Sequence, residues 1–211
     1  MRPPRLIYVM DPMCSWCWGF APVVAALAQQ AAAGGVPLHV VVGGLRQERA
    51  ALDPVSKVRI LAHWQAVNAR TGQLFNFGAA LPDGLVYNTE PACRALVAAR
   101  SLDEQSVWPL LQLIQEAFYA EGRDVTRPQL LVELAEQAGI PRIEFAELFD
   151  SEQMHAATAA DFSWVQDLGI AGFPTLLAER DGQLALLTNG YQPLEELAPM
   201  LERWLQRGAR G

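Results

Sequence analysis

Cysteine and histidine are both scarce in this chain, with three of each among 211 residues. An odd and small number of cysteines does not build a disulfide scaffold. A zinc site needs about four ligands, and Cys93 and the three histidines show no paired spacing that would complete one around Cys14 and Cys17. We therefore expect no metal, and the two close cysteines become candidates for catalysis.

A long apolar run is also missing. The best candidate is interrupted by Gln29-Gln30 and Gly34-Gly35, so nothing approaches the roughly 20 apolar residues of a membrane span. The segment Met1-Arg2-Pro3-Pro4-Arg5 resembles the start of a signal peptide. The apolar stretch after it has only five residues before Asp11, short of the roughly 7–15 of a signal-peptide core. The sequence therefore predicts a cytoplasmic protein that is not bound to a membrane.

Basic residues are in the minority, with 16 against 23 acidic ones and a net charge of −7. No basic run stands out, so nucleic acid and anionic membranes are poor candidate partners. The apolar fraction of 51% fits a globular protein and argues against disorder. A chain of this length can bury a sizeable core.

The chain does contain a Cys-x-x-Cys motif, placed where a predicted strand meets a predicted helix. The apolar residues 6–10 lead into Cys14 and Cys17, and an alanine-rich helical pattern over 21–33 follows. A helix N-terminus carries unpaired N–H groups and a partial positive charge, which stabilise a thiolate. Cys14 is therefore the predicted nucleophile and Cys17 the predicted resolving thiol. A permanent disulfide, or two inert buried thiols, is the structural alternative.

The apolar patterns along the chain predict an α/β fold. Residues 38–42 indicate a buried strand parallel to the first one. A helical pattern then begins at Asp53-Pro54, a cap followed by a first-turn proline, and Thr89 is expected to cap a later helix. Near the end, Asp181-Gly182 predicts a hairpin turn. The predicted units are a discontinuous α/β domain, 1–52 with 169–211, and a helical insertion, 53–168.

Two motifs carry a resemblance to a known family. The segment Asp11-Pro12-Met13-Cys14-Ser15-Trp16-Cys17-Trp18-Gly19, followed much later by Gly172-Phe173-Pro174-Thr175 before a strand, resembles the thioredoxin fold. The distance between them leaves room for a helical insertion, which resembles the DsbA family and its intracellular FrnE-like branch. Tyr87-Asn88-Thr89-Glu90-Pro91-Ala92 and Gly122-Arg123-Asp124-Val125-Thr126 are similar to the helical domain of that branch.

The resemblance implies a protein-disulfide oxidoreductase with a thioredoxin-like domain and an inserted all-helical subdomain. Its partners would be protein or small-molecule thiols and disulfides. No cofactor is required, and glutathione is a candidate redox partner. Oxidation, reduction and disulfide isomerisation all remain open as the direction of the reaction.

Pro174 is implied to be the second half of the site. In thioredoxin-like proteins the equivalent proline has a cis peptide bond and faces the dithiol, and the residue before it offers its backbone to an extended substrate. The resemblance therefore assigns Phe173 to substrate binding. An ordinary trans proline at the start of a strand is the alternative.

Four further residues are candidates for substrate contact. The resemblance implies that Ser15 and Trp16, between the cysteines, set the redox poise, and Trp16 offers an apolar surface to a substrate. Asn88 and Thr89 belong to the loop that lines the substrate or glutathione cleft in related isomerases.

Proton transfer is the open part of the predicted mechanism. Thioredoxin and DsbA carry a buried acid six residues before the nucleophile, where this chain has Tyr8. Asp11 is the nearest carboxylate, and a base and a cap are equally expected roles for it. Cys93 is expected to be a small buried hydrophobic residue, with a third thiol near the site as the alternative.

Two other functions compete with the oxidoreductase. One is a glutathione-dependent isomerase or transferase, resembling the 2-hydroxychromene-2-carboxylate isomerase and kappa-class branch. Those proteins use one serine and generally lack the cysteine pair, so Cys14 and Cys17 argue against it. The other is a non-enzymatic, redox-gated binding module on the same fold.

Overall fold

The computed structural model describes residues 3–208, and it is built around a four-stranded sheet. The strands are β1 (Arg5–Met10), β2 (Leu38–Val42), β5 (Thr175–Arg180) and β6 (Gln183–Asn189), in the spatial order β2-β1-β5-β6. The first strand pairs in parallel with β2 and antiparallel with β5. The predicted parallel pair and the predicted hairpin at Asp181-Gly182 are therefore confirmed.

Strand pairing brings the two predicted motifs together. Residues 6–10 of β1 are all buried, as expected for a central strand covered on both faces. Val9 pairs with Thr175, so the end of β1 lies beside the start of β5. The loop that follows β1 carries Cys14, and the loop that precedes β5 carries Pro174. Both loops consequently meet at one edge of the sheet.

Helices cover this sheet and fill the long segment between β2 and β5. The helix after β1 and the C-terminal helix pack against each other. A 3₁₀ turn at Glu104–Ser106 precedes the fourth α-helix. The α-helices are α1 (Ser15–Ala33), α2 (Pro54–Thr71), α3 (Glu90–Leu102), α4 (Val107–Tyr119), α5 (Pro128–Gln137), α6 (Arg142–Phe149), α7 (Glu152–Asp167) and α8 (Leu194–Gly208).

The predicted fold class, an α/β thioredoxin-like fold with inserted helices, is confirmed. Asp53 caps α2, since its side chain accepts a hydrogen bond from the Ser56 N–H, and Pro54 is the first helical residue. The division of the chain into units at residues 53 and 168 stays a prediction. No helix between residues 3 and 208 combines the length and the apolar character needed to cross a membrane.

A second small sheet, which the sequence did not predict, joins the segment before α2 to the segment before α3. Its strands are β3 (Gln47–Ala51) and β4 (Val86–Asn88), which pair antiparallel. Every residue of β3 is exposed, so its sequence lacks the alternation of apolar and polar residues that marks a half-buried strand. This sheet places the residues after β4 next to the end of β1.

Candidate active site

Cys14 is the N-cap residue of α1. The turn after β1 closes with a hydrogen bond from the Cys14 N–H to the Asp11 carbonyl oxygen, 3.0 Å long. The Cys14 carbonyl then accepts from the N–H groups of Cys17 and Trp18, which begins the helix. Its side chain is 6% exposed, and the thiol donates to the Phe173 carbonyl oxygen across 3.7 Å. The predicted nucleophile thus lies at the positive end of a helix.

Cys17 lies one turn further along α1 and is fully buried behind Cys14. Both cysteines are free thiols in this structure. Burial raises the pKa of the Cys17 thiol well above its usual value, and the neighbouring Cys14 raises it further. The Cys17 thiol is therefore more difficult to deprotonate than an exposed cysteine, as expected for a thiol that does not react first.

The second motif supplies a backbone carbonyl and an aromatic ring to the site. The peptide bond between Phe173 and Pro174 is cis, and Pro174 is buried. The Phe173 ring lies against Gly43 so closely that an added Cβ atom there would stand 2.0 Å from the ring. A glycine at position 43 is therefore what allows Phe173 to lie beside Cys14.

Asp11 is a fully buried carboxylate with four hydrogen-bond donors. Oδ1 accepts from the Met13 N–H at 2.8 Å. Oδ2 accepts from the Leu45 N–H at 2.7 Å, the Thr89 hydroxyl at 2.6 Å and the Cys93 thiol at 3.4 Å. Burial raises the pKa of Asp11, and the hydrogen bonds from Thr89, Leu45, Met13 and Cys93 partly oppose that shift. Of its two expected roles, the structure shows that Asp11 caps the turn before Cys14.

Thr89 is the N-cap residue of α3, as predicted, but its side chain does not make the expected capping hydrogen bond. No capping hydrogen bond comes from its side chain, and the Asn88 Oδ1 atom accepts from the Glu90 N–H instead. Thr89 is fully buried and its hydroxyl is committed to Asp11. The Thr89 hydroxyl points towards the buried Asp11 carboxylate, to which it donates, and it accepts no hydrogen bond from the first turn of α3.

Cys93 combines both of its expected descriptions. It is a fully buried thiol in α3, and it also lies in the Asp11 cluster beside the dithiol. Burial is the main reason why the pKa of Cys93 is raised well above its usual value. It is thus a third thiol near the site, but one that the solvent does not reach.

Tyr8 and Tyr87 are site residues that the sequence did not single out by role. The Tyr87 hydroxyl donates to the Met13 carbonyl oxygen at 2.6 Å and so holds the turn before Cys14. The Tyr8 hydroxyl is buried and has no hydrogen-bond partner within residues 3–208. Burial raises the pKa of Tyr8 well above its usual value, and the charge of Cys17 adds to this. Both tyrosines are flanked by apolar residues in the sequence, a pattern that is typical of core residues.

Cys14 lines one groove, and a second groove shares Trp16 and Phe173 with the first. The first, which we call the dithiol groove, has a volume of about 280 Å³, and Cys14, Ser15, Arg46 and His63 are among its lining residues. The second, which we call the Tyr191 groove, has a volume of about 410 Å³ and is lined by Trp16, Arg70, Phe173, Gly190 and Tyr191.

The structure brings most of the predicted site residues together. Ser15, Trp16 and Phe173 lie on the groove walls with Cys14. Asn88 and Thr89 lie outside those walls, in the capped start of α3. Within residues 3–208 no group of three or more histidine, cysteine, aspartate or glutamate side chains is arranged to hold a metal ion.

Comparison with known proteins gives a family and several similar structures. The sequence profile of the DSBA-like thioredoxin domain matches residues 5–202. A solved structure of a candidate protein disulfide isomerase from Nitrosomonas europaea is 41% identical, with a TM-score of 0.91 over 98% of this chain and 99% of that one.

The cytosolic disulfide reductase DsbM from Pseudomonas aeruginosa is 30% identical, with a TM-score of 0.80 over 96% of this chain and 98% of that one. The same protein has been solved with GSH, at a TM-score of 0.78.

Curated relatives are more distant. The ClpXP adapter protein SpxH from Bacillus licheniformis is 22% identical over 193 residues, which make up 90% of this chain. The chain spans 63% of the length of that relative.

Proposed function

This chain belongs to the DSBA-like thioredoxin domain family, and we propose that it is a cytoplasmic thiol–disulfide oxidoreductase acting through Cys14 and Cys17. Protein-disulfide oxidoreductase is the activity that the family and the similar disulfide reductase and isomerase support. One observation carries the proposal: Cys14 is 6% exposed at the start of α1, and Cys17 is fully buried directly behind it. The likeness to a cytosolic reductase supports the location.

The proposed reaction is a pair of thiol–disulfide exchanges. The Cys14 thiolate attacks one sulfur of a substrate disulfide, the substrate S–S bond breaks, and one substrate thiolate leaves and takes up a proton. Cys17 then loses its proton and attacks the Cys14 sulfur, which releases the second substrate thiol. The substrate gains two electrons, and the protein is left with a Cys14–Cys17 disulfide.

Two glutathione molecules are the proposed source of the electrons that regenerate the dithiol. The first attacks the protein disulfide and forms a mixed disulfide, and the second releases it as oxidised glutathione. The likeness to DsbM, which has been solved with GSH, supports this partner. The same steps in reverse oxidise a substrate, so the ratio of reduced to oxidised glutathione sets the direction.

Asp11 is our candidate for the proton acceptor of Cys17. Its carboxylate is fully buried, and its charge adds to the effect of burial in raising the pKa of the Cys17 thiol. A raised pKa brings a carboxylate closer to the pH at which it must exchange protons, which suits a general base. Thr89 would act as a positioning residue that holds the Asp11 Oδ2 atom in place.

Substrate contact is assigned to the walls of the dithiol groove. The Phe173 backbone faces the Cys14 sulfur and can pair with an extended substrate chain, while Pro174 shields the buried side of the dithiol. Trp16 offers an apolar surface, and Ser15 a hydroxyl, next to the reacting sulfur.

Single cysteine variants test the proposal. We expect Cys14→Ser to abolish exchange with oxidised glutathione, and Cys17→Ser to accumulate a protein–glutathione mixed disulfide that intact-mass spectrometry detects. Cys93→Ser is the matched control, because Cys93 is a buried cysteine outside the pair, and it should retain exchange. An active Cys14→Ser protein would contradict the proposed function.

A second candidate function is an adapter that binds another protein through this fold. The likeness to the ClpXP adapter SpxH supports it, although only part of that relative is matched. An adapter would exchange disulfides slowly. Its Cys14→Ser, Cys17→Ser double variant would bind the partner as well as the unmodified protein does. The exchange rate of the unmodified protein therefore separates the two candidates.

A further inference from the structure

The surface around Cys14 has the opposite charge to the chain as a whole. The chain carries 23 acidic and 16 basic residues. The described residues that line the dithiol groove and the Tyr191 groove include Arg46, His63 and Arg70 but no aspartate or glutamate. A locally positive cleft concentrates anions near the reacting group. The nucleophile therefore faces a surface that favours negatively charged substrates.

Arg70 is the cation best placed to bind a carboxylate. It lies in the last turn of α2, with its guanidinium over the Tyr191 ring at 5.3 Å. No salt bridge joins it to another residue between 3 and 208. Stacking on the ring orients the guanidinium and leaves its N–H donors available for a bidentate contact. Arg46 differs, since Glu48 lies 3.9 Å from it.

The Tyr191 groove has an apolar wall beside Arg70, part of which it shares with the dithiol groove. The rings of Trp16 and Tyr191 lie 6.0 Å apart, and Phe173 completes the wall. Trp16 and Phe173 also line the dithiol groove, so an arm attached to the Cys14 sulfur can cross them into the Tyr191 groove. A volume of about 410 Å³ suits a small ligand rather than a folded domain.

We infer that the Tyr191 groove is a subsite for the carboxylate-bearing arm of a small disulfide substrate, with Arg70 as its specificity-determining residue. The inference rests on the proposed function and adds a substrate class to it, namely small disulfides that carry carboxylates. The apolar part of the arm packs on Trp16 and Tyr191, and its carboxylate accepts hydrogen bonds from Arg70.

The test compares small disulfides of different charge. Reduced protein is mixed with oxidised glutathione, which is anionic, with hydroxyethyl disulfide, which is neutral, or with cystamine, which is cationic. The rate constant of exchange is followed by quenching with acid and measuring intact mass. We expect the order glutathione disulfide, hydroxyethyl disulfide, cystamine, from fastest to slowest.

Arginine variants assign this preference to one residue. In Arg70→Gln, the ratio of the rate constants for oxidised glutathione and hydroxyethyl disulfide should fall about tenfold, as expected for loss of a charge-assisted contact. Arg70→Lys keeps the charge without the bidentate geometry, so its ratio should lie between those of the unmodified protein and Arg70→Gln. Arg59→Gln is the matched control: Arg59 is exposed on the same helix, lies outside both grooves, and loses the same charge.

The outcomes separate the subsite from the proposed function. If the unmodified protein exchanges with none of the three disulfides, the proposed function itself is contradicted. If exchange is normal but Arg70→Gln leaves the ratio unchanged, the subsite is overturned and the proposed function stands. If Arg59→Gln lowers the ratio as much as Arg70→Gln, the preference comes from overall charge and the subsite is again overturned.

Discussion

The outer and inner sides of the dithiol differ in how their polar groups are used. On the outer side, Arg70 and Ser15 lie on open groove walls, where their donors can meet a substrate. On the inner side, the donors around Asp11 are already paired with its buried carboxylate. A change on the outer side should therefore alter reactivity and selectivity, whereas a change on the inner side should first alter stability.

The largest expected effect on the inner side comes from Asp11→Ala. It leaves the buried Met13 N–H and Thr89 hydroxyl, and the partly buried Leu45 N–H, without their acceptor, and we expect the free energy of unfolding to fall by about 3 kcal/mol. Urea unfolding of the variant and of the unmodified protein measures this loss. Asp53→Ala, which removes an exposed cap of α2, is the control and should cost less. Equal losses for the two variants would show that the buried hydrogen bonds of Asp11 stabilise the fold no more than an exposed helix cap does.

Thiol labelling compares the two sides directly. Burial raises the pKa of Cys17 and of Cys93. At a pH below the pKa, a thiol whose pKa is higher by about one has about a tenfold smaller thiolate fraction. In the reduced native protein, iodoacetamide near neutral pH should label Cys14 at least about tenfold faster than the other two. Peptide mass spectrometry locates the label, and unfolding in urea should make all three react. Native labelling of Cys93 as fast as Cys14 would show that the inner side is open.

Asp11 and Asp53 should shift stability with pH in opposite directions. Burial raises the pKa of Asp11 above 3.8, so the native state holds its proton longer than the unfolded state does. The stabilising contribution of Asp11 to the free energy of unfolding is therefore complete below pH 3.8 and is lost as the pH rises through the native pKa. Hydrogen bonds from Ser56 lower the pKa of Asp53, so its contribution is lost as the pH falls.

The measurement is the free energy of unfolding from about pH 3 to pH 7 for the unmodified protein, Asp11→Asn and Asp53→Asn. As the pH rises, the unmodified protein should lose stability relative to Asp11→Asn and gain it relative to Asp53→Asn. Differences with the same sign for both variants would contradict the assignment.

The smallest effect is expected for Tyr8→Phe. Its hydroxyl is buried without a partner, so removing it should change the free energy of unfolding by less than about 1 kcal/mol. Tyr87→Phe is the matched control, because it removes a hydrogen bond to the Met13 carbonyl and should cost about 1 to 2 kcal/mol. A larger loss for Tyr8→Phe would show that its hydroxyl has a bonding partner in solution.

The parts of this site that depend on local sequence could be predicted. The strand before Cys14, the helix after Cys17 and the proline at 174 each follow from short patterns of residue type. The four strands of the main sheet were predicted for the same reason, since each is a short apolar run with clear ends.

The parts that depend on contacts between distant segments could not be predicted. Asp11 is bound by residues 34, 78 and 82 positions away, and no local pattern marks Leu45, Thr89 or Cys93 as its partners. Thr89 shows the consequence, because its hydroxyl donates to the buried carboxylate and makes no capping hydrogen bond. Arg70 was missed for a related reason, since its stacking partner Tyr191 comes from the other end of the chain.

The close approach of Gly43 and Phe173 has a consequence for how such proteins diverge. The Phe173 ring occupies the space that any side chain at position 43 would need. A lineage that gains a side chain at 43 must therefore accept a smaller residue at 173, and one that keeps a large ring at 173 must retain the glycine. These two positions, 130 residues apart in the chain, should be inherited as a pair, and the width of the entrance to Cys14 should change whenever the pair does.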